Sequence, residues 1–137
     1  MLVNKELIVN QINEDWGNKP QSQICISVLN YLLDTSTENR SHITFGSLKI
    51  AVNNQHTDIE LLKAIQYLCG ERTKLLEINF EFIQDEENIF PLSNTEVKIA
   101  KETGELIHPE TGEIINNYEE KVFMYFEPSY LVKKISK

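Results

Sequence analysis

Three histidines, two cysteines and a dense group of carboxylates are the residues of this chain best suited to chemistry, and their spacing narrows what that chemistry is. His42, His56 and His108 are far apart, and none stands at ligand spacing from another histidine or from Cys25 or Cys69, so no metal site is expected. The five scattered glycines form no phosphate loop, and no serine sits in a Gly-x-Ser-x-Gly elbow, which leaves nucleophilic catalysis without a candidate. The carboxylates are concentrated. Residues 84–120 hold ten acids (Asp85, Glu86, Glu87, Glu96, Glu102, Glu105, Glu110, Glu113, Glu119 and Glu120) against Lys98 and Lys101, a local balance of -8, so the other hundred residues sum to zero. General acid-base work needs a carboxyl with a raised pKa in a cleft, whereas a ribbon of solvated glutamates titrates normally. The chain is therefore expected to be non-enzymatic and to use no cofactor.

A row of acids is a solvated face or an interaction surface, and here the acids alternate with Ile89, Phe90, Val97, Ile99, Leu106, Ile107, Ile114 and Ile115. These are too many apolar groups for a free hairpin to leave in water, so they pack on the domain itself or on another protein. Glu102, Glu105, Glu110, Glu113, Glu119 and Glu120 are the candidate partner-binding residues. They suit a basic protein partner, or imitate the charge of nucleic acid, and edge strands among them offer a place for a partner's strand.

At 137 residues with 41% hydrophobic and 25% charged composition, the chain is expected to fold as one domain, 1–137, with 84–120 as an acidic insertion. Cys25 and Cys69 fall inside apolar helical patterns, where thiols act as small hydrophobes, and this points to a reducing cytoplasm. No apolar run approaches the ~20 residues that cross a bilayer, and Met1 to Trp16 is broken by polar residues unlike a signal peptide, so no membrane role is expected. A net charge of -8 and a pI near 4.9 oppose general attraction to phosphate backbones.

The elements that hold these residues follow from periodicity. Leu7, Ile8, Ile12 and Trp16 behind Asn4 predict a short helix stopped by Gly17 and Pro20, and Ile24, Cys25, Val28, Leu29, Tyr31, Leu32 and Leu33 predict a stronger one over Gln21 to Asp34. Thr35 to Ser41 reads as a loop and Ile43 as a very short strand. Thr44 caps a helix with Phe45, Leu48, Ala51 and Val52 on one side, and Thr57-Asp58-Ile59-Glu60 forms a capping box before a helix carrying Leu61, Leu62, Ile65 and Leu68. If that phase holds, Leu62→Ala costs about 2 to 5 kcal/mol. Gly70 is suited to a left-handed helix end.

Beyond Gly70 the period becomes two. Leu76, Ile78, Phe80 and Phe82 predict a half-buried strand, and Lys121 to Glu127, with Phe123 and Tyr125 opposite Val122, Met124 and Phe126, predicts a partner strand covered on both faces. Pro128 to Lys137 reads as a short helix with a basic end at Lys133, Lys134 and Lys137. Between the strands, Glu102-Thr103-Gly104-Glu105-Leu106-Ile107 nearly repeats as Glu110-Thr111-Gly112-Glu113-Ile114-Ile115. This predicts an antiparallel meander with strands at Thr95 to Lys101, Glu105 to His108 and Gly112 to Asn116.

In its order of elements the chain resembles the winged helix-turn-helix superfamily over roughly residues 21–83 and 121–127. The likeness is carried by Phe45-Gly46-Ser47-Leu48, Leu61-Leu62-Lys63-Ala64-Ile65-Gln66-Tyr67-Leu68 and Leu75-Leu76-Glu77. The resemblance implies an α+β fold: a winged helix-turn-helix core of three to four helices plus a β-wing, with the acidic meander inserted in the wing. In DNA-binding members the third helix enters the major groove, which implies Thr57, Asp58, Glu60, Lys63 and Gln66 as base-facing residues. Asn53 and Asn54 with Gln55 at the turn, and a strip of Arg72, Lys74 and the C-terminal lysines, complete the candidate DNA contacts. Lys49 and Lys63 only cancel Asp58 and Glu60, however, and the basic rim that supplies most affinity is missing.

The expected function is that of a non-enzymatic accessory subunit acting by protein association. The chain looks like small winged-helix subunits of DNA-processing or defence assemblies, including those bound to SMC-like ATPases, which implies a basic protein or an ATPase subunit as partner. The alternatives are a DNA-binding regulator, acting as a homodimer through Asn53, Asn54, Lys63 and Gln66, and an acidic inhibitor that mimics DNA.

Overall fold

The structure, a computed structural model, describes residues 4–34 and 42–135. The loop expected at 35–41 and the terminal Lys137 lie outside the described residues. The fold is α+β, and the chain divides into two compact units: 1–77 with 126–137, and 78–125.

In the first unit, helix α1 (Lys5–Trp16) opens where the Asn4 side chain accepts from the Leu7 amide and closes at Gly17, whose φ of 59° a side chain would strain. Helix α2 (Pro20–Asp34) begins with proline in the first turn, where a missing N–H costs nothing. It buries Ile24, Cys25, Val28, Leu29, Leu32 and Leu33. Helix α3 (Phe45–Ala51) and helix α4 (Asp58–Cys69) each start on a capping box, Thr44 with Ser47 and Thr57 with Glu60. In the second box the Glu60 carboxylate takes the Thr57 amide at 2.9 Å and the Thr57 hydroxyl takes the Glu60 amide at 3.1 Å, so local sequence alone marks where α4 begins.

The phase of α4 differs from expectation at one position. Leu61, Ala64, Ile65 and Leu68 are buried, but Leu62 is 41% exposed, because the 100° step of the helix turns it away from the stripe set by Leu61, Ala64 and Ile65. Gly70 also departs from expectation: its φ of -82° and ψ of -179° are extended, not left-handed. The left-handed residue in this connection is Lys74, at φ 49°.

Ile43 exchanges two backbone hydrogen bonds with Phe126, at 2.9 and 2.7 Å, which fixes the short strand expected there. The core of this unit joins α1 to α4 with Ile43, Leu75, Leu76, Phe126, Val132 and Ile135. A last helical turn, Tyr130–Lys133, follows.

Strand β1 (Leu76–Ile83) leads into the second unit, and strand β5 (Val122–Pro128) leads out of it. With strand β2 (Ile89–Leu92) they form a sheet in the order β2-β1-β5, so the expected pairing of the two long strands holds. The alternation of β1 is uneven because Leu76 belongs to the first core and Phe82 to the second, which leaves Ile78 between them part-exposed. Strand β5 is not covered on both faces: Phe123 is 48% and Met124 42% exposed.

The insertion is not a three-stranded meander. Thr95 to Lys101, expected as a strand, lies in helix α5 (Asn94–Thr103), which starts on a third capping box: Ser93 and Glu96 exchange hydrogen bonds at 3.0 Å each. Val97 and Ala100, three residues apart, are its buried face, and this spacing outweighs the apparent alternation of Val97 and Ile99 with lysines. Strands β3 (Leu106–Ile107) and β4 (Ile114–Ile115) remain as a short ribbon, followed by a 3-10 turn at Tyr118–Glu120. The second core is Phe82, Leu92, Val97, Ala100, Leu106 and Tyr118.

Candidate partner-binding site

The near-repeat of the insertion is also a repeat of geometry. Gly104 and Gly112 both sit at φ 77°, and their amides donate to the carbonyls four residues back, Ala100 at 2.8 Å and His108 at 3.0 Å. In each copy the threonine hydroxyl accepts from the glutamate amide two residues on: Thr103 from Glu105 at 3.2 Å, Thr111 from Glu113 at 3.3 Å. The apolar pairs that follow then meet each other antiparallel, Leu106 opposite Ile115 and Ile107 opposite Ile114. A Thr-Gly-Glu turn used twice thus makes one closed ribbon, with glycine needed in each copy for the positive φ.

His108 anchors the turn between β3 and β4. It is only 8% exposed. Its Nε2 is 2.9 Å from the Gln84 Oε1, and its Nδ1 accepts from the amides of Glu110 and Thr111 at 3.1 and 3.2 Å. Two amides aimed at Nδ1 make it the accepting nitrogen, which leaves Nε2 to donate to Gln84. Phe82 and Phe90 meet the ring edge-on, with centroids 5.6 and 4.7 Å away.

Around this scaffold the second unit forms an open groove of about 510 Å³, lined by Glu96, Ile99, Glu105, Leu106, Ile107, His108, Pro109, Glu110, Thr111 and Gly112. Ile99 and Ile107 are each about half exposed there. Neither lysine nor arginine lines the groove. One Glu96 oxygen is held by the Ser93 amide, while Glu105 and Glu110 form no ion pair among the described residues.

Of the six acids expected to bind a partner, the groove brings together Glu105 and Glu110. Glu102 stands exposed in the last turn of α5, Glu113 on the turn before β4, and Glu119 and Glu120 in the 3-10 turn, all outside the groove lining. Sequence reasoning missed Glu96, His108 and Pro109 as neighbours of these acids, and the Ser93-x-x-Glu96 box that orients α5 was the signal available. Asp85 acts on the backbone instead. Its carboxylate accepts from the amides of Glu87 and Asn88 at 2.9 Å each and from the Asn88 side chain, which shapes the turn between β1 and β2. The Asn88 side chain and the Glu87 amide hold its pKa below the usual carboxylate value.

The candidate DNA contacts lie in the first unit. Lys63 and Gln66 are exposed on α4, on the same face as Ile59, which is 69% exposed, and Leu62. Asn53 and Asn54 occupy consecutive left-handed positions, at φ 60° and 54°, a turn geometry asparagine tolerates better than most residues. Lys49 pairs with Asp58 at 2.9 Å. Arg72 is held by Asp15 through two bonds, Nε to Oδ2 at 3.2 Å and Nη2 to Oδ1 at 2.8 Å, and Asp15 also accepts from Gln11 and from the Tyr67 hydroxyl. The Arg72 guanidinium, then the Tyr67 hydroxyl, hold the Asp15 carboxyl well below the usual carboxylate range. Tyr67 moves the other way, upward, chiefly through burial and then through Asp15.

Among the described residues, no group of three or more His, Cys, Asp and Glu could hold a metal ion, and no helix is long and apolar enough to cross a membrane. The thiols are protonated: burial pushes Cys25 up to about 12 and Cys69 up to about 11, so neither is a ready nucleophile. No protein-family model, no curated protein and no solved structure matches this chain.

Proposed function

We propose that this chain is a non-enzymatic, winged-helix-like accessory subunit that works by protein association within a larger assembly, of the kind that processes DNA or serves in defence. The observation that carries this proposal is the outward face of α4. Where a DNA reader places bases, α4 presents Ile59 and Leu62, and apolar groups left in water on a helix face favour a protein partner. Part of the nearby positive charge is already used, Lys49 by Asp58 and Arg72 by Asp15, so the phosphate contacts that supply most DNA affinity have few donors. The antiparallel bridge of Ile43 to Phe126, set between α2 and α3 in the chain, supports the winged-helix-like part of the proposal. One observation favours a DNA-binding regulator instead: Lys63 and Gln66 are both exposed on that α4 face.

The two are separated by recovering the tagged chain from its native host at moderate salt, with nuclease and without. A stoichiometric protein that survives nuclease and is lost on the joint change Ile59→Gln and Leu62→Gln, but not on Lys63→Ala, is the expected result. DNA recovered alone at a defined site, with loss on Lys63→Ala or Gln66→Ala, makes the chain a regulator.

A further inference from the structure

The groove of the second unit indicates what kind of partner it receives, and this inference rests on the association proposed above. Its volume of about 510 Å³ lies in the roughly 300–1,000 Å³ range of sites that hold a ligand-sized group. Its apolar surface comes from Ile99, Leu106, Ile107 and Pro109, and its charge from Glu96, Glu105 and Glu110, with no lysine or arginine in the lining. The walls are already ordered: glycine turns at 104 and 112 and three hydrogen bonds to His108 hold them, so little entropy is lost when an occupant arrives.

Charge decides among occupants. The unit 78–125 carries eleven acids and three bases, whereas residues 1–77 with 126–137 carry ten of each. A second copy therefore brings either a like-charged unit or a neutral one, and nucleic acid is repelled outright. A positively charged group that also has apolar surface satisfies both parts of the groove. We propose that the groove binds a short cationic, amphipathic segment of the partner protein, with apolar side chains on Ile99 and Ile107 and a Lys or Arg meeting Glu105 and Glu110.

The test uses the full chain and labelled peptides: one of leucine and lysine at helical spacing, one with glutamate replacing lysine, and one with serine replacing leucine. Anisotropy gives affinity at low and moderate salt, and amide shifts in two-dimensional NMR give location. Expected are binding of the leucine-lysine peptide alone, shifts at Ile99 and residues 105–112, and a loss of about tenfold for the joint change Glu105→Gln and Glu110→Gln. Ile107→Gln, with the same melting temperature as the parent chain, should weaken binding to a similar extent. Equal binding of the lysine-serine peptide, equal competition by a free polyamine, or shifts confined to other residues would overturn the proposal. Host capture separates the two levels. A partner kept by both groove variants but lost on Ile59→Gln with Leu62→Gln leaves association standing and removes the groove; no partner with any form removes both.

Discussion

Asp15 is a charge compensated within the chain. Its carboxylate gathers Arg72, Tyr67 and Gln11 from three places in the sequence. Because its folded pKa is depressed, its contribution to stability is present above the ordinary carboxylate range and is lost as pH falls through and below that range. Asp15→Asn should therefore lower the melting temperature at neutral pH, and the gap to the parent chain should narrow as the pH is taken down from about 4; thermal melts across that range check it. Cys25 behaves oppositely. With its folded pKa raised to about 12, its neutral thiol adds stability that is complete below the ordinary thiol range and is lost as pH rises toward about 12. In native buffer near pH 8, Cys25 should resist iodoacetamide and react only after denaturation, which mass spectrometry of the labelled chain reads directly.

Helix phase and helix starts are separate matters at the scale of elements. Leu61 is 1% exposed and its neighbour Leu62 41%, so Leu61→Ala should cost about 2 to 5 kcal/mol, while Leu62→Ala should cost much less; urea titration of both decides it. The apolar pattern around Leu61 and Leu62 suited either residue, and only packing against α2 and its neighbours distinguishes them. The start of α5 is stated locally by Ser93 and Glu96. Ser93→Ala should cost about 0.5 to 2 kcal/mol and raise amide exchange in the first turn of α5, whereas a strand at 95–101 would be indifferent to it. Capping boxes at Thr57 and Ser93 have the same spacing, and the second was masked by apolar residues that alternate over a few positions.

Across the whole molecule, two cores share no residue. Leu106→Ala, made in the second core, should destabilise by about 2 to 5 kcal/mol and raise hydrogen exchange first between residues 94 and 116, leaving α2 protected; exchange mapped by mass spectrometry would rise equally in α2 if the cores melt as one. Charge follows the same division, since the whole excess of -8 resides in residues 78–125.

Features that depend on neighbours a few residues apart are legible in the amino-acid order. Capping residues at Asn4, Thr44 and Thr57, the stripe of α2, the two Thr-Gly-Glu turns and the location of the charge all rest on local hydrogen bonds, helical spacing or simple counting. Features that depend on distant segments emerge only on folding: which of Leu61 and Leu62 is buried, that Arg72 belongs to Asp15, that β1 serves two cores, and that Glu105 and Glu110 face one groove with Ile99. The difference is one of range. A cap or a turn is complete within four residues, but burial, ion pairing and a groove exist only when segments far apart in the chain are brought together.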